Sequence, residues 1–252
     1  VTNKHCARND FYVRINIRGG AIVIPFDSPA WILHPDPTVD LAMLEFNDPI
    51  DSECAPFSAG SIPSSPSYRY GPGDLTYTVG LFRAHGGRAR NIPIVHTGNI
   101  AAFSEDERIE VSDWESGRET GTKLIEAYVV QCSASPGSSG SPVFVRSTAK
   151  AVDLGHTHDK RGKAIEDRFG FTRDAVQAYG PLQLLGVWRG SWELPQSDFV
   201  RGAQIRYPAG YGVVVPGGKI EDILELPVVQ ARRDEESEKI KAAVKSRIES
   251  NH

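Results

Sequence analysis

The 252-residue sequence has one methionine, Met43, and only three cysteines, Cys6, Cys54 and Cys132. Three is too few and too odd a number for a disulfide framework, so nothing argues for an oxidising compartment and a reduced, cytoplasmic interior is favoured. No apolar stretch approaches the roughly 20 residues of a membrane-spanning helix, so no membrane association is expected. No signal peptide is visible, but the sequence opens on Val1 rather than on methionine, so that absence excludes nothing. An excess of one charge is also missing. The 28 Lys and Arg against 32 Asp and Glu give a net charge of -4, which argues against a broadly basic nucleic-acid binder and equally against a disordered acidic chain. What remains is an ordinary globular composition, 40% hydrophobic and 24% charged, long enough to bury one large core or two small ones.

With 24 Gly and 17 Pro, turns are expected to be frequent and long helices few. Short runs rich in Val, Ile, Thr and aromatics, bounded by turn residues, predict strands near 12–17, 21–26, 31–33, 39–46, 75–82, 92–103, 124–133, 141–145, 182–188 and 211–215. Such spacing implies an all-β barrel or sandwich. A Ser/Pro/Gly-rich stretch at 58–73 marks the best boundary between two halves. The charged segment 146–180, with a helix around 164–179, reads as an insertion. Residues 219–224 predict a short helix stopped before Pro227. In the charged tail, Ile240, Ala243, Val244 and Ile248 fit either an amphipathic helix docked on the body or a solvated terminus.

Three local signals follow one order along the chain: His5 in Thr2-Asn3-Lys4-His5-Cys6, Asp40 in Val39-Asp40-Leu41-Ala42-Met43-Leu44, and Ser139 in Pro136-Gly137-Ser138-Ser139-Gly140-Ser141-Pro142. An acid among apolar neighbours, as Asp40 is, needs a partner. A serine hydroxyl is a poor nucleophile at neutral pH, so it needs a base to take its proton and an acid to fix that base's tautomer. An α/β-hydrolase would instead run Ser, Asp, His around Gly-x-Ser-x-Gly, a pattern this loop breaks at its last position. Each residue alone has a bland reading, as a structural histidine, a strand-end acid and a turn serine. Their joint order favours chemistry.

Through these three segments the sequence resembles the trypsin-like (chymotrypsin-fold) serine peptidases, over nearly the whole chain, and it is similar to bacterial trypsin-like peptidase-domain proteins through Gly80-Leu81-Phe82, the 90–95 and 98–102 runs, and Ser139-Gly140-Ser141-Pro142-Val143-Phe144-Val145. The resemblance implies two six-stranded antiparallel β-barrels with the site in the crevice between them. The corresponding layout is a first barrel over 1–60, a connection at 61–73, a second barrel over 74–227 and a helical tail at 228–252. It implies His5 as general base, Asp40 as its orienting acid, Ser139 as nucleophile, and the N–H groups of Gly137 and Ser139 as oxyanion hole. Substrate-pocket positions would be Ser133, Ala134, Trp188 and Arg189; with serine at 133, a Lys or Arg preference is not implied. Ser138 stands where trypsin has the acid of its zymogen switch, so that switch is not expected. Cys6 pairs, in secreted relatives, with a cysteine upstream of the histidine.

Other groups read as bystanders. His156-Thr157-His158-Asp159 lacks partners at zinc-ligand spacing and reads as a solvated loop, so no metal and no cofactor are expected. Cys132 reads as a small buried residue, and the basic loop of Arg83, His85, Arg88 and Arg90 could attract an acidic partner. The expected activity is that of a serine endopeptidase acting on a protein or peptide substrate, with a silent binding module or an esterase as alternatives. Because trypsin-like folds place strands ahead of the histidine, a chain that carries it at position 5 is expected to lack part of its first barrel and to be unstable or inactive alone.

Overall fold

The computed structural model describes residues 1–27, 30–46, 52–53, 57–63, 70–81, 85–103, 108–115, 118–132, 137–146, 182–195 and 206–249. The insertion at 146–180 with its helix, the His156–Asp159 cluster, Ser133, Ala134, Cys54 and Arg83 therefore lie outside the described residues, apart from Arg146.

A closed six-stranded barrel organises the chain. Its strands are β5 (Leu75–Leu81), β6 (Pro93–Phe103), β9 (Tyr128–Gln131), β10 (Pro142–Arg146), β11 (Gln183–Pro195) and β12 (Arg206–Pro216), joined in the order β10-β11-β12-β9-β6-β5. Every pairing in the barrel is antiparallel. Alternation along the strands sends Val143, Val145, Val130, Val214 and Ile100 into one core with Leu185 and Trp188, as period-two patterning requires. Gly212 makes this packing feasible: any Cβ there would lie 1.9 Å from the Trp188 ring.

Bulges in β11 break its period. Val143 pairs with Gly186 but Phe144 with Leu184, and Trp188 pairs with Val214 but Gly190 with Val213. Each skipped residue flips the side chains beyond it. Leu185 and Trp188 thus face the barrel interior, while Leu184 and Val187 face outward onto a second cluster with Val39, Leu41, Ile62, Ile220 and Ile223. That outer cluster fixes the segment carrying Asp40 against the barrel.

The N-terminal part supplies a hairpin, β1 (Asp10–Ile17) with β2 (Gly20–Asp27), and a second two-stranded sheet, β3 (Ile32–Leu33) with β4 (Ala42–Met43). The hairpin turns at Gly19, whose φ of +87° suits glycine. Arg14 donates to the Gly87 and Arg88 carbonyls, and Asn16 and Asn91 exchange hydrogen bonds, docking the hairpin on the 85–92 loop. Arg88 and Arg90 are engaged there too, Arg90 through an ion pair with Glu53. Of the 39–46 run, only Ala42–Met43 is strand.

A further hairpin, β7 (Ile109–Glu115) with β8 (Arg118–Ile125), was not anticipated; it lays Ile109, Val111 and Ile125 over Val129 and Val213 on the outside of the barrel. A short helix, Gly218–Leu224, buries Ile220 and Ile223. Pro227 then opens a long helix ending at Glu249, a position where its missing N–H costs nothing. Val229 is buried, but 231–246 are exposed: the tail is helical, docked at its start and solvated beyond. No described helix is long and apolar enough to cross a membrane.

Candidate active site

Asp40 sits just before β4, and the N-terminal segment is tied alongside it. Thr2 and Ala42 exchange both backbone hydrogen bonds at 2.8 Å, and Asn3, fully buried, donates Nδ2 to the Asp40 carbonyl at 3.0 Å. One turn of 3-10 helix, Lys4–Cys6, then sets His5 over the carboxylate. Its Nδ1 lies 2.7 Å from Asp40 Oδ2, and its main-chain N–H donates to Oδ1 at 3.2 Å. Both carboxylate oxygens therefore face His5, one fixing the ring and one fixing its backbone.

Asp40 is 2% exposed and His5 26%. Burial opposes the imidazolium, but hydrogen bonding to Asp40 and Cys6 and the Asp40 charge outweigh it, raising the His5 pKa from 6.5 to about 9. For Asp40, burial pushes upward, yet the bonds to His5 and the charges of His5 and Arg189 hold the carboxyl below its ordinary range.

The Ser139 loop is docked on β11. The Gly140 N–H donates to the Trp188 carbonyl and the Trp188 N–H to the Ser141 carbonyl, both at 2.8 Å. Gly137 and Gly140 have φ of +95° and +89°, conformations that glycine adopts without strain. The N–H groups of Gly137 and Ser139 have no hydrogen-bond partner among the described residues. Ser139 Oγ donates to the Arg189 carbonyl at 2.9 Å; among the hydrogen bonds of the described residues, none joins it to His5.

The sequence from residue 1 to 152 matches the family described as the trypsin-like peptidase domain. The chain belongs to this family. Its mostly β architecture and closed six-stranded barrel accord with membership. Solved structures similar to it include the Rv3671c protease of M. tuberculosis in its active form, at 16% identity and a TM-score of 0.42 over 88% of this chain. The inactive form of the same protease aligns at 17% identity and 0.39, again over 88% of this chain and over 76% of that one. The chain spans 66% of the length of the first. No curated protein matches it.

Within this trypsin-like peptidase domain, one expected pocket residue is placed elsewhere. Trp188 is 1% exposed, in the barrel core, because the upstream bulge turns it inward; it lines no cleft. The Arg189 side chain is held at the candidate acid. Its guanidinium lies on Asp40, Nε to Oδ2 3.2 Å, and donates Nη2 to the Ser112 carbonyl at 2.6 Å. Sequence reasoning missed this contact and that of Asn3. An arginine directly beside a core tryptophan was the available signal, since adjacent strand residues face opposite ways. Among the described residues no group of three or more His, Cys, Asp or Glu could hold a metal.

Proposed function

We propose that this chain is a serine endopeptidase that hydrolyses peptide bonds through His5, Asp40 and Ser139 by way of an acyl-enzyme. The observation that carries the reading is the 2.7 Å contact of His5 Nδ1 with a carboxylate 2% exposed. A buried acid at Nδ1 fixes the tautomer that leaves Nε2 free to accept a proton, and it stabilises the imidazolium formed as Ser139 attacks. In the first step Ser139 Oγ bonds to the substrate carbonyl carbon and His5 takes its proton. The tetrahedral oxyanion is received by the N–H groups of Gly137 and Ser139, where one lost donor typically costs about 100 to 1000-fold in rate. His5 returns the proton to the leaving amine, and water then releases the acid by the same route.

Ser139 must rotate off the Arg189 carbonyl to donate to His5. That resting hydrogen bond is the one feature favouring a second reading, a silent module that binds a partner through the same face. A fluorophosphonate probe separates them. The peptidase reading expects labelling at Ser139 and peptide cleavage, both abolished in Ser139→Ala; a folded protein that neither labels nor cleaves, yet binds a partner equally as Ser139→Ala, refutes it.

A further inference from the structure

Arg189 is the residue skipped in the pairing of β11 with β12, where Trp188 faces Val214 and Gly190 faces Val213. A bulge leaves its extra residue outside the ladder and re-aims it. Both consequences fall on the same site. The freed carbonyl of Arg189 accepts from Ser139 Oγ, and its side chain, 10% exposed, reaches the carboxylate that His5 uses. One residue touches the candidate nucleophile through its backbone and the candidate acid through its charge.

We propose that Arg189 is a positioning residue of this triad, a fixed counter-cation that shares Asp40 Oδ2 with His5 and so limits how tightly the carboxylate holds a proton on the imidazole. The inference rests on the roles given above to His5, Asp40 and Ser139. Its geometry is specific. His5 Nδ1 is at 2.7 Å and Arg189 Nε at 3.2 Å from the one oxygen, and among the described residues Nε has no aligned hydrogen bond. The histidine thus owns the directional bond while the arginine contributes charge. The guanidinium is held in place from the other side by the Ser112 carbonyl of β7.

The surrounding charges do not cancel this cation. Asp40 faces His5 and feels Lys4 from the N-terminal segment, and Lys4 is itself bound to the Asp36 carbonyl. Arg189 feels Asp40 and, from β7, Asp113, but Asp113 is paired with Lys123 of β8 at 2.7 Å. Cys6 neighbours the imidazole. Arginine stays protonated across the accessible pH range, so of the two groups sharing Oδ2 only His5 can yield its charge.

The test follows the His5 ring by NMR across pH in the full chain, together with the rate of fluorophosphonate labelling. Arg189→Gln is expected to raise the His5 midpoint by about one pH unit and to move the acidic limb of labelling upward equally, so that the deficit at pH 7 closes at high pH. Arg189→Lys restores most of the parental midpoint. Arg189→Met, an apolar filler of similar length, is the second neutral variant should the glutamine fail to fold. The proposal is overturned if the midpoint stays put in the neutral variants, or if Arg189→Lys shifts it as far as they do. A shifted midpoint in a protein that never labels keeps the charge coupling and removes the peptidase reading; labelling with an unmoved midpoint removes this inference alone.

Discussion

Replacing Asp40 by asparagine preserves its size and removes its charge, and the structure says where the cost lands. Asp40 is 2% exposed, accepts hydrogen bonds from His5 Nδ1 and the His5 N–H, and pairs by charge with the Arg189 guanidinium. The asparagine side chain would present an amide to the first of these and leave the 10%-exposed guanidinium without its anion. Orphaning one member of a buried pair costs about 3–5 kcal/mol. At this chain length each kcal/mol moves the melting temperature by about 2–4 °C, so Asp40→Asn is expected to melt roughly 10 °C below the parent. Most of that cost belongs to the stranded cation rather than to the lost bond. Combining Asp40→Asn with Arg189→Met should therefore recover at least half of it, a coupling of about 2 kcal/mol. Thermal and urea melts followed by circular dichroism at pH 6 measure all four proteins. A double variant no more stable than Asp40→Asn, or an Asp40→Asn melt within about 2 °C of the parent by the same scale, refutes the assignment of charge at this site.

Because the His5 pKa is raised from 6.5 to about 9 on folding, the imidazolium favours the folded state: its contribution is complete below pH 6.5, shrinks between 6.5 and 9, and is gone above. The shift corresponds to about 3 kcal/mol, reduced by solvent screening to about 1–2 kcal/mol; urea titrations at pH 6 and 9.5 should differ by that amount, and His5→Gln should erase the difference. The same pKa leaves about one ring in a hundred neutral at pH 7, so kcat/KM for a peptide substrate should climb about tenfold per pH unit from 7 toward 9; a flat profile there contradicts it. Gly212→Ala drives a methyl into the Trp188 ring, 1.9 Å from the ideal Cβ, and should cost about 2–3 kcal/mol in a denaturant melt, relieved in part by Trp188→Phe.

The barrel was legible because its strands carry runs of β-branched and aromatic residues, as in Thr76-Tyr77-Thr78-Val79 of β5 or Tyr128-Val129-Val130 of β9. Two segments misled for identifiable reasons. Among the described residues the β7–β8 hairpin buries Ile109, Val111 and Ile125 in apolar contact, while its sequence interleaves Glu, Asp, Arg and Lys, so its alternation is diluted by charge. The 39–46 run is apolar enough for a strand, but Val39 and Leu41 are spent on the cluster beneath β11, which leaves two residues to pair. The tail offers Ile240 and Val244 at helical spacing, yet they are 59% and 54% exposed. The helix there is supported by Lys239–Glu235 and Lys241–Glu238 pairs at 2.7 Å, solvent-exposed pairs that contribute little.

The site divides along the same line between local pattern and long-range placement. His5, Asp40 and the Ser139 loop each carry a local motif, so each could be picked out from its neighbours in sequence. Arg189 carries none. Its role depends on one unpaired residue in β11, and a bulge leaves no mark on composition or period except a large core residue set beside a charged one. Trp188 and Arg189 are such a pair: whatever turns the tryptophan into the barrel must turn the arginine out of it, toward β7 and the segment that holds Asp40. The placements of Trp188 and Arg189 are thus a single consequence of β11 geometry. The packing of Trp188 against Gly212 in the core is what aims a cation at the candidate triad.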